Sequence, residues 1–119
     1  MTTKNSILAV TASLLLAPPV FACDYPGKID IPNGATATRD EMLQGQRDVK
    51  QYVTDMEAYL DCIVAEEKTA RADMDDLEAE DEQQREDMLN KKYNAAVDEM
   101  ETVAANFNTE VQAFRARDE

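Results

Sequence analysis

From Thr38 to Glu119 the chain contains no proline and a single glycine, Gly45. Proline and glycine are the residues that stop helices, so nothing in this run ends one. An all-α fold is the first expectation. The start of the helical region is marked as clearly as its length. Thr38 with Glu41 three residues on forms a capping-box pattern, and Asp40 and Glu41 suit the positive end of a helix dipole.

Apolar residues then recur with alternating spacings of three and four, the pattern of a helix–helix seam. The first stripe is Met42, Val49, Val53, Met56, Leu60 and Ile63, with polar Gln46 filling one position. The second is Tyr93, Val97, Met100, Ala104, Phe107, Val111 and Phe114. Between them, Glu66 to Asp87 holds eleven acids against Lys68, Arg71 and Arg85. On one straight helix, at about 100° per residue, the two stripes would lie roughly a third of a turn out of phase. Folding back aligns them. Met42 with Phe114, Val49 with Phe107, Met56 with Met100 and Ile63 with Tyr93 share one register, centred near Glu78. The expected fold is a long antiparallel two-helix hairpin, coiled-coil-like, over residues 38–119, with helix 1 at about 38–75 and helix 2 at about 80–117. The same register can also be met between two chains.

The first 37 residues are of another kind. Lys4, the apolar run Ile7 to Leu16 and a small-residue site after Ala22 predict a secretory signal peptide over 1–22, bacterial in style and removed on export. Its apolar run is shorter than the roughly 20 residues a membrane span needs. Residues 23–37 hold Pro26, Gly27, Pro32 and Gly34, an extended arm that can turn at Pro32-Asn33-Gly34 and run back along helix 1. The two cysteines of the chain, Cys23 and Cys62, fall on the arm and on helix 1. In an oxidising compartment such a pair is expected to form a disulfide that staples the arm to the hairpin. The alternative is a lipoprotein: Val20-Phe21-Ala22-Cys23 resembles a lipobox, which would acylate Cys23 and anchor the protein to a membrane.

Composition restricts the chemistry. Past Ala22 there is no His, Ser or Trp, and 11 basic residues face 25 acidic ones, a net charge of −14. Such a surface repels phosphate backbones and anionic lipid, which argues against nucleic-acid binding. Without Ser or His there is no common acyl-transfer triad, and a two-helix hairpin provides no pocket to raise a carboxylate pKa. No catalytic residue, cofactor or metal site is expected, and the protein is read as a non-enzyme. Asp73-Met74-Asp75-Asp76-Leu77-Glu78 lacks the glycine and ligand offsets of a calcium loop and reads as a solvated acidic helix end. The methionines are scattered along the helices and suit irregular packing. Tyr52 and Tyr59 are expected to pack beneath the arm.

The segments "CDYPGKIDIPNGATATRDEMLQGQRDVKQYVTDMEAYLDC" and "KKYNAAVDEMETVAANFNTEVQAF" resemble a group of small periplasmic helical-hairpin proteins of proteobacteria. The Cys-x-x-Pro arm, the Pro-x-Gly turn and the Tyr-Leu-x-Cys of helix 1 carry the resemblance. It implies compartment and shape and brings no activity with it. A looser likeness is to the Skp-like holdase chaperones, periplasmic proteins with helical hairpin arms. This chain departs from them in lacking their strand-built trimer core and in having an acidic tip where theirs is basic. The expected function is therefore non-catalytic: a periplasmic protein that binds another envelope protein or itself through helical faces, with no transmembrane segment in the mature chain. The alternative is a holdase-like or envelope-stress role.

Overall fold

The computed structural model of the protein describes residues 23–117. The expected signal peptide, 1–22, and its cleavage point at Ala22 lie outside the described residues. The chain runs as an arm, Cys23 to Thr38, then α1 (Arg39–Ala72), a short turn, and α2 (Ala79–Ala116), with the two helices packed against each other as a hairpin. There is no strand among the described residues.

The start of α1 is the capping box that its sequence predicts. The Thr38 hydroxyl accepts from the Glu41 backbone N–H, and the Glu41 carboxylate accepts from the backbone N–H of Thr38 at 2.6 Å. The bonds that the backbone N–H and the hydroxyl of Thr38 donate to the carboxylate favour its ionised form and hold the Glu41 pKa below its ordinary value. At the other end α1 stops at Ala72, and the chain turns over Asp73 to Glu78, where Asp76 adopts a positive φ of 62°. Aspartate tolerates the left-handed region because its short carboxylate can interact locally. This explains a bend in a segment with no Gly, Pro or Asn.

The helices meet in a register offset from the expected one. Arg71 with Glu82, Glu67 with Arg85, and Gly45 with Phe107 are cross-helix neighbours whose numbers total 153, 152 and 152. The expected pairs total 156, so the strands of the hairpin are slid by about one helical turn, roughly 6 Å. The cause is the position of the bend: it falls between Ala72 and Ala79, ahead of the expected centre at Glu78.

The apolar residues form two buried clusters along the same groove. One joins Tyr52, Met56, Leu60, Ile63 and Ala96; the other joins Ala37, Met42, Val49 and Phe107. Five expected seam residues of α1 are therefore buried: Met42, Val49, Met56, Leu60 and Ile63. On α2 Phe107 is buried, whereas Val97, Met100, Ala104, Val111 and Phe114 are half-buried, as is Val53 on α1. Tyr93 and Gln46 are exposed. The structure instead buries Gly45, Tyr52 and Ala96, each one residue before an expected seam position. One residue is about 100° of rotation, so the buried stripe is turned to one side of the groove. That side is where the arm lies.

Candidate functional site

The arm is a third layer laid along the hairpin, and its contacts build the most differentiated region of the surface. It is anchored first by a turn. Asn33 accepts from the Ala35 N–H through its side chain at 2.9 Å and from the Ala37 N–H through its carbonyl at 2.7 Å. The Gly34 N–H donates to the Glu110 carboxylate at 2.6 Å, and a Cβ at Gly34 would overlap the Glu110 backbone carbonyl. Only glycine permits this approach. Two residues earlier, Pro32 rests on Gly45, where a Cβ would come within 2.6 Å of the proline ring. This accounts for a glycine inside a helix, where it costs roughly 0.5–1 kcal/mol relative to alanine. Arg117 closes the end: it donates to the Ala37 carbonyl at 2.8 Å and lies over the Phe114 ring at 4.7 Å.

Further along, Ile29 packs against both clusters and Ile31 against the second. Tyr25 meets Tyr59 edge to face, with ring centroids 4.9 Å apart, and Tyr52 is buried. Burial raises the pKa of Tyr52 above 10.0, aided by the neighbouring Tyr25 and Glu99. Tyr25 is raised for the same reasons: burial first, then Glu99 and Tyr59. Both phenols therefore keep their protons to higher pH than a free tyrosine.

The arm ends at the staple. Cys23 and Cys62 form a disulfide, with Cα atoms 5.7 Å apart and a sequence separation of 39. The sulfur that a lipid anchor would require is bonded to Cys62. Beside it an open cavity of about 390 Å³ is lined by Cys23, Tyr59, Ile63, Glu66, Arg85 and Met88, among others. Arg85, in its lining, makes a two-pronged bond to Glu67, at 2.9 and 3.0 Å. The tip acids do not converge on a common point: among the described residues, the acidic and cysteine side chains close enough to share a cation are Cys23, Cys62 and Glu66.

The opposite side of the groove is open. Near the helix ends a second groove of about 510 Å³ is lined by the two helices alone, with Met42, Leu43, Val111 and Phe114 between Arg39 and Arg115. Leu43 is 42% exposed and Val64 44%. Val53, Val97, Ala104 and Val111, each about 100° past a position covered by the arm or the seam, are half-exposed along the same side.

Sequence reasoning missed Gly34, Gly45, Ala96 and Glu110 as packing positions. A glycine at a helical position was the available signal for close backbone approach. Glu110 carried none, because its partner is a backbone N–H 76 residues away. No protein-family model, curated protein sequence or solved structure matches this chain. No helix among the described residues is long and apolar enough to cross a membrane, and the disulfide fits an oxidising, extracytoplasmic compartment.

Proposed function

We propose that this chain is a non-catalytic interaction protein of the periplasm that docks a helical surface, an envelope protein or a second copy of itself, on the open side of its hairpin. The observation that carries this reading is the asymmetry of the groove. The arm covers one side, while a row of half-exposed Val, Leu and Ala continues along the other. A two-helix hairpin of this kind is half of a four-helix bundle, and its apolar stripe is satisfied by two more helices.

A second copy, turned end for end, is the occupant that the charges favour. The open groove is rimmed by Arg39 and Arg115 at one end of the molecule. The other end carries Asp73, Asp75, Asp76, Glu78, Glu80, Asp81 and Glu82. Antiparallel pairing sets each acidic tip beside the arginines of the partner, whereas parallel pairing sets tip against tip. Sedimentation equilibrium tests this. A concentration-dependent dimer is expected, lost in Leu43→Glu with Val111→Glu and strengthened at low salt. A monomer at every concentration would eliminate self-association. A holdase role would draw instead on exposed Met74, Met88 and Tyr93 near the tip. Suppression of client aggregation by the wild type, abolished when these three are made polar, would identify it.

A further inference from the structure

Soft and hard metal donors from two elements converge where the arm joins α1. Cys62 and Glu66 stand four residues apart on the helix and share one of its faces. The arm delivers Cys23 to the same place. The two sulfurs and a Glu66 carboxylate oxygen all lie within 4.8 Å of one another, and that oxygen is 3.1 Å from the Cys23 sulfur. A disulfide sulfur carries no proton, so this contact is not a hydrogen bond; the carboxylate simply stands beside the sulfur. The next residue, Glu67, is committed to Arg85, while Glu66 enters no ion pair among the described residues.

We propose that reduction of the Cys23–Cys62 bond converts this junction into a binding site for a zinc-type divalent cation, held by the two thiolates and the Glu66 carboxylate. The reductant is a dithiol of the Cys-x-x-Cys oxidoreductase class. It gives two electrons and two protons: the Cys23–Cys62 bond breaks, two protein thiols form, and the donor closes to its own disulfide. The cation then displaces both thiol protons to solvent and bonds to sulfur in their place.

Three features support the site. First, the ligands stay near one another without the covalent bond. The arm is held independently by Gly34 on Glu110, Pro32 on Gly45, and Tyr25 on Tyr59. Second, three protein donors leave one position of a tetrahedron for water or substrate, and the neighbouring cavity of about 390 Å³ gives access to it. Third, a pair of thiolates selects zinc over calcium and magnesium, which take oxygen. The acidic tip provides oxygens alone, and they do not converge. Oxidised, the same residues are a staple; reduced, they are a cation clamp.

The test uses the chain in oxidised and reduced forms, with zinc uptake followed by competition against a chromophoric chelator under anaerobic conditions. The reduced protein should take up one Zn²⁺ per chain and the oxidised protein none. Cobalt(II) should produce the near-ultraviolet charge-transfer band of thiolate ligation. Glu66→Gln, which keeps both cysteines, should weaken uptake by the reduced form at least about tenfold, since even partners outside the ligand set are worth that much. Glu67→Gln should leave it unchanged. Absence of uptake by the reduced chain, equal uptake by the oxidised chain, or equal affinity in Glu66→Gln would each overturn the proposal. A reduced chain that has lost its fold falls under the last outcome, because Glu66 would then no longer be held beside the sulfurs.

Discussion

The two halves of the hairpin are built from the same helices by different means. In the half near the chain ends, the arm makes a third layer, and every buried residue of α1 lies there, from Met42 to Ile63. In the tip half, from Val64 to Ala95, no residue is buried. The tip is held by helix propensity, by Arg71 at the negative end of α1, by Glu80, Asp81 and Glu82 at the positive end of α2, and by Arg71 and Arg85 reaching across. The comparison teaches that two helices alone exclude water from little of their seam. The arm is what converts a groove into a core, and in a chain this small the staple reinforces the arm's own non-covalent anchors.

The largest test of that contrast removes the staple. Cys62→Ser should cost about 4 kcal/mol in the chain-entropy model, for a closed loop of about 40 residues. Hydrogen exchange should quicken along the arm and the covered part of α1 and change little at the tip. Equal acceleration in both halves would show that the arm is not a separate layer. Next comes the core beneath the arm. Met56 has no exposed surface, so Met56→Ala should lower stability by about 3 kcal/mol in denaturant titrations. Met88, 55% exposed on the tip half, should tolerate the same change to within about 0.5 kcal/mol.

Gly34→Ala places a methyl group on the Glu110 backbone and should cost about 2 kcal/mol. The loss should persist in a Cys62→Ser background, where the Gly34 turn is one of the anchors still holding the arm, and its disappearance there would show that the staple alone seats the arm. Within the tip, Arg85→Ala removes the paired bonds to Glu67 and should cost about 1 kcal/mol by thermal unfolding. If it cost as much as Met56→Ala, the division into a packed half and a polar half would fail.

The smallest effect is that of pH on the α1 cap. The Glu41 pKa is lower in the folded state, so the carboxylate contributes stability above its unfolded value and loses that contribution as pH falls through the folded one. Glu41→Gln should flatten this part of the acid transition by lowering the neutral plateau slightly, with little change at the acid end. The tyrosines under the arm act at the other extreme. Their raised values mean stability that is complete below pH 10 and declines as pH rises beyond it, and Tyr25→Phe with Tyr52→Phe should remove that decline.

The sequence by itself determined the helices, the Thr38–Glu41 cap, the fold-back and the pairing of Cys23 with Cys62. Each depends on local chemistry or on a count: an absence of helix breakers, a capping motif, a three-four repeat, two cysteines within reach. Tertiary structure alone decided which side of the seam is dry. Met56 was legible from its spacing and Tyr52 was expected beneath the arm, but Gly45 and Ala96 were not, because the repeat describes a helix facing one partner. Here α1 faces two, α2 and the arm, and their combined contact turns the buried stripe by one residue. It also decided the register: Asp76 accepts a left-handed conformation that its composition did not announce, and the bend it permits slides the helices by a turn. Glu110 and Gly34 meet across 76 residues through a backbone N–H, a donor that every residue but proline carries, so only the folded chain could bring the pair together.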